Sequence, residues 1–181
     1  MRRVKNEELR RRVVVVPQEP FLFSGTIATN IRFATPELSD MAITQLFERL
    51  DLAEWLLSLP DGLSTEVGER GSLLSAGERQ LVALVRAASS SPDILLLDEA
   101  TSSVDALTEV RLSHALDLLA GGRTSVAIAH RLSTAARADR VLVIEEGRLV
   151  EDGSHSGLIR RNGHYSKLYD AWIQATEVEA T

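Results

Sequence analysis

The run Ile94-Leu95-Leu96-Leu97 ends on two carboxylates, Asp98 and Glu99, and no other feature limits the fold as tightly. Four apolar residues in a row fall far short of the roughly 20 that a membrane helix requires. Bounded by polar residues, they fit a strand buried on both faces, spanning 93–97. Val13 to Val16 is a second such run and ends at Pro17, which removes a ladder donor and holds its predecessor extended. Elsewhere the apolar spacing changes to three and four. Ile43, Leu46, Phe47 and Leu50, then Leu52, Trp55, Leu56 and Leu59, predict two short helices broken at Pro60-Asp61-Gly62. Ser75-x-x-Glu78 is a capping box, which predicts a helix from Ser75 to about Ala87. Asp105 caps another helix, with Leu112, Ala115, Leu116 and Leu119 on its apolar face and Gly121-Gly122 at its end. Further strands are predicted at 125–129 and 140–144. A hairpin turn at Glu145-Glu146-Gly147 leads into 148–151, and helices around Leu158 and over 165–174 close the chain. Strands alternating with helices predict an α/β fold.

Composition narrows the function. With 44% apolar and 25% charged residues, the 181-residue chain reads as globular and not disordered. A formal net charge of -6 disfavours binding along a nucleic-acid backbone, which asks for a basic stripe. Arg10, Arg11 and Arg12 form the one dense basic cluster, read as a solvated strand edge or a domain contact. The basic start, Met1-Arg2-Arg3-Val4-Lys5, has no apolar core behind it, so a secretory signal is not supported. Zero cysteines exclude disulfides and thiolate metal sites.

Chemistry concentrates at the strand ends. A carboxylate there suits magnesium, a hard cation that takes oxygen ligands and keeps several waters, and Asp98 is that residue. The plain alternative is that Asp98-Glu99 merely caps the next helix. Gln18 alone reads as a solvated loop amide, and His130 alone as a satisfied core histidine.

An ordered series of motifs decides between these readings. Leu74-Ser75-Ala76-Gly77-Glu78-Arg79-Gln80 and Ile94 to Glu99 resemble the signature motif and Walker B strand of the ATP-binding cassette family. Val16-Pro17-Gln18 resembles the Q-loop and leads into Phe21-Leu22-Phe23-Ser24-Gly25-Thr26-Ile27. Thr65 to Gly71 resembles the X-loop of exporter-type cassettes, Ser102-Ser103-Val104-Asp105 the D-loop, and Ala127 to Leu132 the switch-histidine segment. Leu73 stands where a glycine is usual and Thr29 where an acid is usual, and neither position has a catalytic role.

The resemblance implies a P-loop NTPase-type α/β fold: a mostly parallel sheet with a helical subdomain at about 35–90 inserted into a catalytic core at 1–34 and 91–181. It implies ATP and Mg2+ as cofactors. Glu99 is then the general base, His130 the switch that holds it and meets the γ-phosphate, and Gln18 a ligand of magnesium or of the attacking water. Asp98 binds the metal. Ser75, Gly77, Gln80 and Asp105 are the nucleotide contacts, with Ser75 and Gly77 opening a helix whose N-terminal dipole favours the γ-phosphate of an opposite subunit. The implied partners are a second nucleotide-binding domain, identical or not, and the transmembrane domain of an exporter. The implied place is the cytoplasmic face of the plasma membrane, reached through that partner, with no nucleic acid and no span of its own.

One part of the pattern is missing. Walker A needs glycines followed by Lys and Ser or Thr, yet the only lysines, Lys5 and Lys167, follow no glycine. The aromatic adenine platform has no counterpart either. The chain therefore reads as a fragment with an incomplete sheet, the Walker A strand falling between the strands at 125–129 and 140–144. Those two strands are expected either to pair directly or to leave a gap. The leading reading is ATP hydrolysis powering export. The alternative is a non-catalytic protein that lends its signature face to a complete cassette. A soluble DNA-repair or chromosome-organising ATPase is disfavoured by the X-loop, the Phe-Ser-Gly-Thr-Ile stretch and the acidic charge.

Overall fold

The computed structural model describes residues 6–98, 105–129 and 132–179. Contacts divide the chain into two compact units, 1–128 and 129–181. The first begins with α1 (Asn6–Arg12), which runs straight into β1 (Val13–Val16). Arg10 to Arg12 thus lie on a helix and not on a strand edge. Arg12 reaches Glu8 one turn back at 3.6 Å and Asp93 at 3.7 Å, the i,i+4 spacing that supports a helix over this charged stretch.

After a loop come α2 (Ile27–Arg32), α3 (Asp40–Arg49), α4 (Ala53–Ser58) and two 3-10 turns at Gly62–Ser64 and Glu69–Gly71. The signature helix α5 covers Ala76–Ser89 with Ser75 as its N-cap, as the capping box predicts. β2 (Ile94–Asp98), α6 (Ala106–Ala120) and β3 (Thr124–Ile128) complete the unit. The three strands form one parallel sheet in the order β1-β2-β3. Val16 and Leu95 turn to one side and join Leu81, Leu84 and Val85 of α5 and Leu112, Ala115 and Leu119 of α6 in a single core, which Ile43, Phe47 and Trp55 extend across α3 and α4.

The other side of the sheet is open. Val15, Leu96 and Val126 stand in register across the three strands, yet Val15 is 56% and Val126 52% exposed, and Ile128 beyond them 58%. Parallel sheets are ordinarily covered on both faces, and burying each such side chain stabilises by about 1.5 to 3 kcal/mol. Among the described residues β3 is also the last strand of this sheet. Among the described residues, the strands expected at 125–129 and 140–144 fall in two different sheets, one in each unit.

The second unit holds α7 (Leu132–Arg137), the hairpin β4 (Val141–Glu145) and β5 (Arg148–Gly153), α8 (His155–Arg161) and α9 (His164–Glu179). The hairpin turns on Glu146 (φ 49°) and Gly147 (φ 74°), two successive left-handed residues that match the twist of the flanking strands. Its core is Ala135, Leu158 and Tyr165, with Val141 and Val143 against them. Burial pushes the Tyr165 phenol up, and the neighbouring Tyr169 adds to the shift. Its hydroxyl lies 2.8 Å from His155 Nδ1.

The Glu151 carboxylate accepts from the backbone N-H groups of His164 (3.0 Å) and Tyr165 (2.7 Å) and so caps α9. A Cβ on Gly163 would lie 1.6 Å from Glu151 Oε1. We expect Gly163→Ala to expel the carboxylate and destabilise this unit by about 1.5 to 3 kcal/mol, the scale of a charge-assisted hydrogen bond. Urea denaturation followed by the fluorescence of Trp172 checks it, and an unchanged midpoint would refute it.

Candidate functional site

Predicted site residues follow the carboxyl ends of neighbouring parallel strands. Gln18 stands just beyond Val16 at the end of β1, Asp98 ends β2 in a half-buried position, and Ile128 ends β3 in register with Asp98. Ligands of open α/β sheets bind outside these ends. Glu99 and His130 lie outside the described residues.

The signature segment is built by local bonds. Ser75 N-H donates to Glu78 Oε2 (2.8 Å) while Glu78 N-H donates to Ser75 Oγ (3.2 Å), so the capping box is closed in both directions. Ser75 is exposed and Gly77 buried in the first turn. The N-terminus of this 14-residue helix, led by the exposed cap Ser75, favours an anion through its unpaired N-H groups and its dipole. Arg79 Nη1 donates back to the Leu74 carbonyl (2.8 Å) and holds the entry to the helix.

The loop after β1 is fastened by groups that periodicity does not reveal. Asn30 on α2 is only 1% exposed. Its Oδ1 accepts from Phe23 N-H (2.9 Å), and its Nδ2 donates to the carbonyls of Phe23 (2.8 Å) and Thr26 (3.0 Å). The only hint in the sequence is a lone polar residue beside Ile27 and Ile31 on an otherwise apolar face. Thr29 replaces an acid without loss of function at the cap. Its Oγ1 accepts from Thr26 N-H (2.9 Å) and Thr26 Oγ1 accepts from Thr29 N-H (3.2 Å), which closes a second capping box. The Thr65 to Gly71 segment docks on the same place: Ile27 N-H donates to Thr65 O (3.0 Å) and Val67 N-H to Gly25 O (2.8 Å).

Gln80 and Asp105 are both committed to bonds within the chain. Gln80, 2% exposed, donates from Nε2 to the Gln18 carbonyl at 2.9 Å. Asp105 is the N-cap of α6 and accepts from Thr108 N-H at 3.0 Å. That backbone bond, with help from the Thr108 side chain, holds its carboxyl below the usual range. A depressed folded value means that the cap's contribution is full above the ordinary carboxylate range and fades as pH falls through the lowered value.

A three-stranded parallel sheet with Gln18 and Asp98 at its strand ends, joined to a capped helix, is the α/β architecture of the P-loop fold class. The chain belongs to the ABC transporter family, whose sequence profile matches residues 1–102. Among relatives, the uncharacterized ABC transporter ATP-binding protein YknV of Bacillus subtilis is 47% identical over 90% of this chain and 27% of its own length. An ATP-dependent lipid A-core flippase of Shewanella oneidensis is 46% identical, again over 90% of this chain and 27% of its own length. The solved structure of a bacterial Atm1-family ABC exporter with ATP bound aligns with a TM-score of 0.84 at 41% identity, over 93% of this chain and 30% of that one. The chain thus spans about a quarter of the length of the curated relatives it matches.

Proposed function

We propose that this chain is the part of an exporter's nucleotide-binding domain that carries the Q-loop, signature, Walker B, D-loop and switch segments, and that it takes part in ATP hydrolysis powering transport. The observation that carries the reading is the signature helix. Its doubly closed capping box fixes the exposed Ser75 at the head of the helix, in a chain that superposes on an ATP-bound exporter.

The site is composite. The first turn of α5 meets the γ-phosphate of ATP held by the Walker A loop of a second nucleotide-binding domain, and Asp105 faces the same partner. Asp98, with Gln18, would hold Mg2+, which would supply positive charge to neutralise the phosphates. Glu99 takes a proton from the attacking water, and His130 orients Glu99 and the γ-phosphate. By the same reading residues 35–90 form the helical subdomain that faces a transmembrane partner. Residues 1–34 and 91–181 are the catalytic core, and the assembly works at the cytoplasmic face of the plasma membrane. Among the described residues no helix is long and apolar enough to cross a membrane.

The test joins the part of the Bacillus subtilis relative that precedes its matched region to residues 1–181. In that chimera Ser75→Asp preserves a good N-cap while opposing a phosphate with a negative charge. ATP turnover should fall at least about tenfold, the effect of 1.4 kcal/mol on the barrier, with an unchanged melting temperature. Turnover equal to that of the unmodified chimera would sink the composite-site reading.

A further inference from the structure

The loop after β1 is tied to the signature helix through one side chain. Gln80 Nε2 reaches the carbonyl of Gln18, 62 positions away in sequence. Gln80 stands three residues after Gly77 on α5, so both lie on one face of the same rigid helix. The amide is an expensive way to fill that space. It is buried, and its Oε1 has no partner among the described residues, whereas a leucine would pack there without burying an unpaired acceptor. A buried amide kept at that cost calls for a role beyond filling space. The far end of the loop is independently held by Asn30 at Phe23 and by buried Leu22. The tie at Gln18 therefore governs only the start of the loop, where the exposed Gln18 side chain leaves the backbone.

We propose that Gln80 is a positioning residue: its Nε2-H bond to the Gln18 carbonyl sets the Q-loop backbone from the signature helix, so that a phosphate engaging the first turn of α5 re-aims the Gln18 side chain. The bond stands on geometry alone, and its consequence for catalysis rests on the proposed function.

Gln80→Leu and Gln80→Glu in the full 181-residue chain test the tie by amide hydrogen exchange of Gln18, Glu19 and Phe21 at the start of the loop. Gln80→Leu should speed exchange there about threefold to tenfold, the yield of losing one net hydrogen bond, at every pH. Gln80→Glu distinguishes a donor from a filler, because a carboxylate cannot donate to a carbonyl and a protonated carboxyl can. Relative to the unmodified chain, its exchange should be fast at pH 8 and return towards normal at pH 5, since burial raises the carboxyl's value. Unchanged exchange in a folded Gln80→Leu chain, or a pH-independent ratio for Gln80→Glu, overturns the proposal. Should Gln80→Leu not fold, the pH profile of Gln80→Glu decides alone. In the chimera, Gln80→Leu should lower kcat about tenfold with KM for ATP unchanged, and an unaltered kcat beside faster exchange also overturns it. Failure of the functional reading shows separately, as absence of turnover in the unmodified chimera, and leaves the exchange result decisive for the tie.

Discussion

A polypeptide of these 181 residues should hydrolyse no ATP alone. Asp98 and Glu99 would act on phosphates that nothing in these residues holds, because neither Lys5 nor Lys167 follows a glycine and phosphate binding in this fold class needs glycine-loop N-H groups with a lysine behind them. Catalysis of phosphoryl transfer is mostly positioning and charge stabilisation, so loss of the grip removes the reaction and does not merely slow it. Phosphate release from the purified chain, with magnesium and millimolar ATP, should equal the buffer blank. Turnover above the blank that disappears in a Glu99→Gln preparation would refute this.

The same substitution has its largest measurable effect where a Walker A loop is present. In the chimera, Glu99→Gln keeps the size and polarity of the side chain but cannot accept the water's proton. General-base catalysis contributes about 10²- to 10⁴-fold, so kcat should fall by that factor while ATP binding persists. Equilibrium binding of labelled ATP alongside steady-state hydrolysis separates the two. Hydrolysis at the unmodified rate would remove Glu99 from the base role, and loss of binding would make it a ligand instead.

Much of the fold was legible because its signals are local. Pro17 behind Val13 to Val16, the polar flanks of the 94–97 run, the Ser75-Glu78 box and the Asp105 cap each act within about four residues, and the elements they predicted appear with boundaries shifted by a residue or so. α1, α2 and α7 were not legible. Each is only 6 or 7 residues long and, unlike the equally short α4, carries no run of large apolar residues at three- and four-residue steps, and such helices persist through their contacts and not through propensity. Arg10 and Arg12 are solvated as expected, but on a helix and not on a strand edge, since a charged stretch beside a strand has no period to read.

The site divides along the same line. The roles of Ser75 and Asp105 as caps were visible as spacings, whereas the clasp of Asn30 on Phe23 and the bond from Gln80 to Gln18 join a side chain to a backbone atom, and a backbone atom has no letter in the sequence. The sequence by itself determined the α/β class of the fold, the order of its strands and longer helices, and that Asp98 ends a strand and Ser75 and Asp105 start helices, because periodicity and capping are short-range properties of the chain. Only the tertiary structure decided that β1, β2 and β3 form a sheet with one covered face, that Val15 and Val126 lie on the open one, and that two buried amides hold the Q-loop. Those outcomes depend on which surfaces meet across tens of residues, and burial, not local preference, selects them.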